Sequence, residues 1–290
     1  MVAGDRCNCR LGSRPFYCSE MNDHPSARNS KEAWLQSALE RNEFVVHYQP
    51  IVEISSGRIS GMEALIRWQH PALGLLPPAE FIGLAEISGL IVPIGAWVLR
   101  TACAYNQKFQ NRRGGPLTVS VNLSVRQIED KHLLREIARA LGESALKPGN
   151  LELEITETMV MRDIQASTKT LYGIKEMGIR LAIDNFGTGN SSLAYVKRFP
   201  VDSLRIDRSF IKDIPQDPDE VATAGGIIAM AHAMRLKVIA EGVETREQLD
   251  FLKERGCHEI QGYYFREPQA AEDFSKLLHE NAGFGGAGAK

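Results

Sequence analysis

The sequence has little of what marks exported, membrane-spanning or nucleic-acid-binding proteins. No uninterrupted apolar run approaches the roughly 20 residues that a membrane-spanning helix needs. No apolar segment of the signal-peptide kind lies near the N-terminus. Neither sign of charge dominates, since 34 basic residues face 36 acidic ones for a net charge of -2. No basic field therefore predicts a nucleic-acid polymer as partner, and we expect a cytoplasmic protein without a membrane segment.

Cysteine is also scarce, with five copies in 290 residues. Cys7, Cys9 and Cys18 lie near His24, but none of them forms the paired C-x-x-C spacing that structural zinc sites usually carry. The other two cysteines fall in apolar, helix-like sequence. We therefore expect reduced thiols rather than a zinc cluster.

The two ends of the chain differ in composition from its middle. Residues 1–30 are rich in Arg, Asn, Ser, Gly and Pro and have no apolar periodicity, which predicts a flexible leader or the remnant of an upstream domain. Residues 281–290 are mostly glycine and alanine and are predicted to form a disordered tail. Residues 31–280 contain no internal linker, so we predict a single domain there.

Strand-like and helix-like segments alternate through that domain. Eight short runs, most of them rich in Val, Ile and Leu, have the composition of strands buried on both faces. They are Phe44–Gln49, Ile59–Ile66, Thr118–Leu123, Leu151–Thr156, Arg180–Ile183, Ser203–Ile206, Lys237–Ala240 and Glu259–Tyr263. Segments with helical periodicity separate the later runs, namely Pro93–Phe109, Arg126–Leu141, Asp163–Met177, Asp219–Met234 and Arg246–Arg255. This alternation predicts an α/β fold, a (β/α)8 TIM-like barrel.

The first junction departs from that alternation. Only the segment Ser55-Ser56-Gly57-Arg58 separates the first two strands, and four residues make a hairpin loop rather than a helical crossover. We therefore predict that the first strand runs antiparallel to its neighbour in an otherwise parallel barrel.

Acidic and amide side chains recur at or near the ends of these strands. In chain order they are Glu63, Asn122, Glu154, Asp184 with Asn185, Asp207, Glu241 and Gln261. A single residue of this kind is more often a surface or capping residue than a ligand. Because the carboxyl ends of barrel strands form one face, the whole set should converge, and its carboxylates would repel each other without a cation. Oxygen donors without cysteine or histidine favour Mg2+ or Mn2+.

Seven motifs in this chain resemble those of the EAL domain family of bacterial cyclic di-GMP phosphodiesterases. They are YQPIV at Tyr48–Val52, EALIRW at Glu63–Trp68, VNLS at Val121–Ser124, LEITE at Leu153–Glu157, DNFGTGNSSL at Asp184–Leu193, AEGVET at Ala240–Thr245 and QGYYF at Gln261–Phe265. They occur in family order over residues 33 to 270, approximately. The resemblance implies a barrel with an antiparallel first strand and hydrolysis of cyclic di-GMP to linear pGpG with Mg2+ or Mn2+.

The resemblance also assigns roles by position. Glu63, Asn122, Glu154 and Asp184 match the ligands of the family's first metal ion, and Asn185 stands where a second ion is ordinarily bound. Glu241 matches the residue that acts on the attacking water, and Glu157 and Glu244 match residues that steady the glycine-rich loop and the site. Arg67 matches a residue that contacts phosphate. Gln49 and Gln261 match residues on the substrate side. A homodimer is also implied.

Three positions depart from the family's pattern. Asn185 and Asn190 stand where the usual loop, DDFGTGYSSL, has Asp and Tyr. Arg205 replaces a lysine that contacts the catalytic water, and arginine is larger and planar. Two hypotheses follow: a phosphodiesterase slowed by these changes, or a degenerate EAL domain that binds cyclic di-GMP or a protein partner without cleavage.

The leader carries one further resemblance. The segments Arg14–Tyr17 and Ser19–Asn22 are similar to the junction that follows a diguanylate cyclase (GGDEF) domain in composite proteins. This similarity predicts an upstream GGDEF or sensor domain as a partner of the barrel.

Overall fold

The structure is a computed structural model that describes residues 25–113, 115–156, 159, 164–187 and 198–280. The leader cysteines with His24, the junction-like segment and the predicted tail lie outside the described residues.

Within those residues, ten strands form one sheet whose eight central strands close into a barrel. The strands are β1 (Phe44–Glu53), β2 (Ile59–His70), β3 (Gly74–Leu76), β4 (Thr118–Asn122), β5 (Leu151–Thr156), β6 (Arg180–Phe186), β7 (Ser203–Ile206), β8 (Lys237–Ala240), β9 (Glu259–Ile260) and β10 (Gln269–Ala270). The barrel closes because β1 pairs with both β2 and β9. Strands β3 and β10 attach outside the closed ring. The predicted (β/α)8 barrel is confirmed.

The first strand runs against its neighbours, as the short first loop predicted. Strand β1 is antiparallel to β2, with Gln49 opposite Glu63, and every pairing from β2 round to β9 is parallel. The hairpin turn is closed by hydrogen bonds from the Gly57 amide to the Glu53 carbonyl at 2.8 Å and from the Glu53 amide to the Arg58 carbonyl at 2.9 Å. Gly57 has φ +66°, a backbone geometry that glycine adopts without a Cβ penalty.

The described helices surround the barrel. They are α1 (Pro25–Glu40), α2 (Ile82–Ser88), α3 (Ile91–Arg113), α4 (Val125–Glu129), α5 (Leu133–Ser144), α6 (Ile164–Glu176), α7 (Pro218–Ala233), α8 (Arg246–Glu254) and α9 (Ala271–His279). Helix α1 begins inside the predicted leader. Among the described residues, no helix is both long and apolar enough to cross a membrane.

One predicted helix is wrong, since the segment Arg126–Leu141 forms two helices. Ser124 caps α4 in a reciprocal pair of hydrogen bonds with Gln127. The chain then leaves the helix at Asp130, whose carboxylate accepts a hydrogen bond from the His132 amide at 3.0 Å. Such local side-chain bonds compete with helix continuation, so α5 starts afresh at Leu133.

The strands separate an apolar core, packed between the barrel and the helices, from a polar layer buried inside the barrel. Alternate side chains of a strand point to opposite faces, and the register of β5 shows the consequence. Leu151, Leu153 and Ile155 are fully buried between barrel and helices, whereas Glu152 and Glu154 point into the barrel. Buried charge of this kind is costly unless it is paired, so the partners of these carboxylates define the site.

Candidate active site

Arg205 of β7 is the centre of the polar layer. Its side chain is completely buried, and its two terminal nitrogens contact groups from five other strands or strand ends. Nη1 lies 2.8 Å from Oε1 of Glu241, 3.1 Å from Oε1 of Gln261 and 3.8 Å from Oε2 of Glu63. Nη2 lies 2.9 Å from Oγ of Ser120 and 3.6 Å from Oε1 of Glu152, and it also contacts Oε1 of Glu154. One guanidinium therefore joins four carboxylates.

The lower part of this layer is fixed by serine hydroxyls. Ser120 and Ser203 donate hydrogen bonds of 3.0 Å and 2.9 Å to the two oxygens of Glu152. Both oxygens of Glu152 therefore have hydrogen-bond donors, and Glu152 contacts Nη2 of Arg205 from the amino-terminal side of the barrel.

Amide side chains hold Glu63 at the other end of the guanidinium. Asn122 donates a hydrogen bond of 2.7 Å to Oε1 of Glu63, and Gln261 donates one of 2.5 Å to Oε2. Gln261 also donates to Oε1 of Gln49 at 2.9 Å, and Gln49 donates to the backbone carbonyl of Arg266 at 3.1 Å. Two of the residues predicted to bind metal or substrate, Asn122 and Gln261, therefore donate to Glu63, and Gln49 is joined to it through Gln261.

Asp184 and Asn185 lie near the end of β6. Asn185 has φ +54°, in the left-handed region that asparagine adopts more readily than most residues. In this geometry its backbone amide donates to Oδ1 of Asp184 at 2.8 Å and its side-chain amide donates to Oδ2 at 3.1 Å. Gly187 follows with φ +96°, and a Cβ there would lie 2.9 Å from the Phe210 ring. Asn185 thus fixes the orientation of the Asp184 carboxylate.

Three carboxyl groups of the cluster, those of Asp184, Glu241 and Glu154, have raised pKa values. Burial raises the pKa of Asp184 to about 6, the Glu63 and Asp207 carboxylates add to the rise, and Arg205 opposes it. Burial and then the charge of Asp184 raise the pKa of Glu241 to about 8. Burial also raises the pKa of Glu154 well above its usual range, against the pull of Arg205. The single positive charge of Arg205 therefore does not neutralise the negative charge of the cluster's carboxylates.

The donor set fits a divalent cation. Glu154 is 1% exposed, and neither of its oxygens accepts a hydrogen bond from the described residues, although one contacts Arg205. Among those residues, no three acidic, histidine or cysteine side chains already surround a point as ion ligands would, because Arg205 and the two amides now hold the carboxylates. Hard oxygen donors with a residual negative charge favour a hard divalent cation over zinc.

A mostly apolar cavity of about 500 Å³ opens beside Asn122. It is lined by strand β2, helices α2, α3 and α4, and the ends of β4 and β5. Glu86, one turn after Ile82 on the same face of α2, contributes a carboxylate to this wall. Glu86 was not predicted from the sequence as a site residue. The feature that could have indicated it is an acidic residue on the apolar face of an amphipathic segment.

Arg67, the predicted phosphate contact, lies at the edge of the cluster near Glu63 and Tyr263. Arg67 is half-buried and donates a hydrogen bond of 2.9 Å to the Ile66 carbonyl, and burial lowers its pKa against the opposing charge of Glu63. Tyr263, 59% exposed, is close enough to influence the same guanidinium. Glu244 is exposed before α8, and its backbone amide donates to Oε1 of Gln248 at 2.7 Å, so its role at the site stays a prediction. Glu157 and Asn190 lie outside the described residues.

Comparisons with known proteins agree on one family. The model of the EAL domain matches residues 32–268. The bifunctional diguanylate cyclase/cyclic di-GMP phosphodiesterase MucR of Pseudomonas aeruginosa is 42% identical over 257 residues, 89% of this chain and 38% of that protein. The cyclic di-GMP phosphodiesterase NbdA of the same organism is 41% identical over 277 residues, 94% of this chain and 35% of that protein.

Solved structures give the same result. The PaMucR phosphodiesterase in its c-di-GMP complex matches with a TM-score of 0.79 at 43% identity, covering 84% of this chain and 99% of that chain. The FimX EAL domain from Pseudomonas aeruginosa bound to c-di-GMP matches with a TM-score of 0.74 at 28% identity, covering 82% and 96%. The chain spans 31% to 40% of the length of the curated relatives compared.

Proposed function

The chain belongs to the EAL domain family, and from that membership we propose that it is a cyclic di-GMP phosphodiesterase that hydrolyses one phosphodiester bond to give linear pGpG. Two relatives over 40% identical across most of this chain carry phosphodiesterase names. The observation that carries the proposal is the buried cluster in which Glu63, Glu154, Asp184 and Glu241 surround Arg205.

The proposed metal ligands are Glu63, Asn122, Glu154 and Asp184, and the proposed ion is Mg2+ or Mn2+. Asn185 would contribute at most one neutral oxygen. The bound ion would neutralise charge on the phosphate and make an attacking water more acidic. Oε2 of Glu154 supports this assignment, because it is buried without a partner among the described residues and a cation would supply one.

Glu241 is the proposed acceptor of the water's proton. Burial and then the charge of Asp184 raise its pKa above the usual value of a glutamate, so its ionised carboxylate is a stronger base than an exposed one. Its side chain keeps 21% of its surface accessible, so a water molecule can reach it, while Arg205 fixes one of its oxygens. The water oxygen forms a new bond to phosphorus, the bond from phosphorus to the ribose 3′ oxygen breaks, and that oxygen takes up a proton.

Substrate would bind across the edge of the cluster and the cavity. Arg67 offers a guanidinium for a phosphate, and the exposed Tyr263 offers a face on which a base can stack. The cavity beside Asn122 has room for a guanine, whose N1 and N2 donors suit the Glu86 carboxylate. Gln49 and Gln261 are buried behind Glu63, so direct contact of these two with substrate stays a prediction.

Binding without cleavage is not favoured, because Glu63, Glu154, Asp184 and Glu241 are present even though Asn185 and Arg205 depart from the family's pattern. Other parts of the sequence-based account stay predictions: the homodimer, an upstream GGDEF or sensor domain, the cytoplasmic location, the leader at 1–30 and the tail at 281–290.

The proposal is tested by incubating the purified chain with cyclic di-GMP and excess Mn2+ or Mg2+ and separating the products by chromatography. We expect pGpG to form, to be suppressed by EDTA, and to be absent with Glu154→Gln. Absence of pGpG with wild-type protein that binds cyclic di-GMP by calorimetry would replace this proposal with the receptor alternative.

A further inference from the structure

We infer that this site takes up a single divalent cation, because Arg205 supplies from the chain itself the positive charge that a second ion would bring. The inference rests on the proposed function for the place of the ion. Enzymes that cleave phosphodiesters with two ions hold them about 3.5–4 Å apart and need enough anionic ligands for both. Three features of this cluster indicate one ion instead.

The first feature is the charge that Arg205 already satisfies. Its guanidinium contacts Glu63, Glu152, Glu154 and Glu241. An arginine stays protonated and carries five donors in a fixed plane, so these contacts persist at any pH at which the carboxylates are ionised. Glu241 would have to give up its 2.8 Å contact with Nη1 before it could turn fully toward another cation.

The second feature is that Arg205 cannot easily withdraw. Its side chain is completely buried, and Ser120 and Glu152 hold Nη2 from the amino-terminal side of the barrel. Strand β7 is paired on both sides, with β6 and β8, which fixes the backbone from which the side chain starts. A lysine at this position would have one nitrogen and could not contact both ends of the cluster at once.

The third feature is that both carboxylate oxygens of Asp184 already have hydrogen-bond donors. Asn185 donates to both of its oxygens, from the backbone amide at 2.8 Å and from the side-chain amide at 3.1 Å. A carboxylate that bridges two ions needs both oxygens turned toward them, and here each already accepts a hydrogen bond from its neighbour. Asn185 also brings no negative charge of its own.

One ion is nevertheless needed. The two oxygens of Glu154 are buried and accept no hydrogen bond from the described residues, and Arg205 contacts only one of them. A buried oxygen without a partner, such as Oε2 of Glu154, is rare in folded proteins, and a cation bound by Glu154 and Asp184 would satisfy it. The cluster therefore calls for one cation beyond Arg205.

The test is the number of Mn2+ ions bound per chain, measured by electron paramagnetic resonance with no cyclic di-GMP present. We expect wild-type protein to bind one ion with the hyperfine-split spectrum of an isolated Mn2+. The double variant Asn185→Asp with Arg205→Lys should bind two, with the broadened spectrum of two spin-coupled ions. Glu154→Gln is the control for adventitious sites and should lose the tight ion.

Two coupled ions in the wild type would overturn the inference, and so would a wild type that binds none. A folded double variant that still binds one ion would also overturn it, because Arg205 and Asn185 would then not be what limits the count. If circular dichroism shows that the double variant is unfolded, Arg205→Lys alone replaces it, and one Mn2+ ion per folded Arg205→Lys chain would overturn the inference. Hydrolysis of cyclic di-GMP is measured separately, so one bound ion without pGpG defeats the proposed function and leaves this inference standing.

Discussion

Oε1 of Glu241 accepts a hydrogen bond of 2.8 Å from Nη1 of Arg205, whose other terminal nitrogen reaches Glu152 and Glu154 across the barrel. The residue proposed to take the proton from water is thus tied through one buried cation to the residues proposed to hold the metal. A substitution of Glu241 should therefore affect the proposed metal ligands, and a substitution of a metal ligand should affect Glu241.

Replacing Arg205 with an uncharged side chain should destabilise the metal-free protein. Removing one partner of a buried ion pair leaves uncompensated charge and costs about 3–5 kcal/mol, so Arg205→Met should lower the free energy of unfolding in EDTA by that order. Arg205→Lys, which keeps the charge, should lower it less. Urea denaturation measures both variants. An Arg205→Met protein as stable as wild type would show that the contacts contribute little.

The stability of the metal-free protein should fall as pH rises. The folded-state pKa of Glu241 is about 8 against its usual 4.5, and that of Asp184 is about 6 against 3.8. In this window the folded state binds more protons than the unfolded state, so the free energy of unfolding decreases with pH. The decline should begin above pH 4 and end near pH 8.

Two controls accompany that pH series, which is recorded by urea denaturation in EDTA. Glu241→Gln should flatten the upper part of the decline, because the group that titrates there is gone. Saturating Mn2+ should reduce the slope, since a cation stabilises the ionised carboxylates and its binding releases protons. A stability that rises between pH 5 and 8 in EDTA would contradict the raised pKa values.

Asn185→Asp should destabilise the metal-free protein, although it resembles a return to the family's usual motif. The variant loses the side-chain donor to Oδ2 of Asp184 and places a second carboxylate beside it. A loss of roughly 1–3 kcal/mol is expected for a hydrogen bond to a charged group. Asn42→Asp is a matched control, because Asn42 is exposed and has nearly the same backbone angle, φ +57°. Equal losses in both variants would assign the effect to the backbone rather than to Asp184.

Glu86→Gln should weaken cyclic di-GMP binding by about tenfold, because a guanine would lose a charge-assisted acceptor in the cavity. Calorimetry in a Glu241→Gln background avoids turnover during the titration. Glu129→Gln, an exposed acidic residue on α4, is the control and should bind as the parent does. Unchanged affinity in Glu86→Gln would exclude this cavity as the guanine pocket.

Local sequence features were sufficient to predict the barrel. The short loop between the first two strands admits only a hairpin, and β1 is antiparallel to β2 as expected. Strands β5, β7 and β8 have the predicted bounds, because their apolar runs end abruptly at polar residues. The break at Asp130 was missed because the apolar periodicity continues across it, while a side-chain hydrogen bond ends the helix.

The site was less predictable than the fold. Polar residues at the strand ends pointed to Glu63, Glu154 and Asp184, since parallel strands bring their ends together. The contact between Arg205 and Ser120 joins residues 85 positions apart, and it depends on which alternate side chains of two strands face inward at one level. The spacing of residues in the sequence does not show at which height along the barrel axis each side chain lies. Arg205 was therefore predicted to contact the catalytic water, and its contacts across the whole cluster were not predicted.

The most direct test of this account is a single-turnover reaction, with enzyme in excess over radiolabelled cyclic di-GMP and Mn2+ present. The account predicts complete conversion of the label to pGpG by the wild type and none by Asp184→Asn. A wild-type sample that retains all of its label as bound, uncleaved cyclic di-GMP would contradict it.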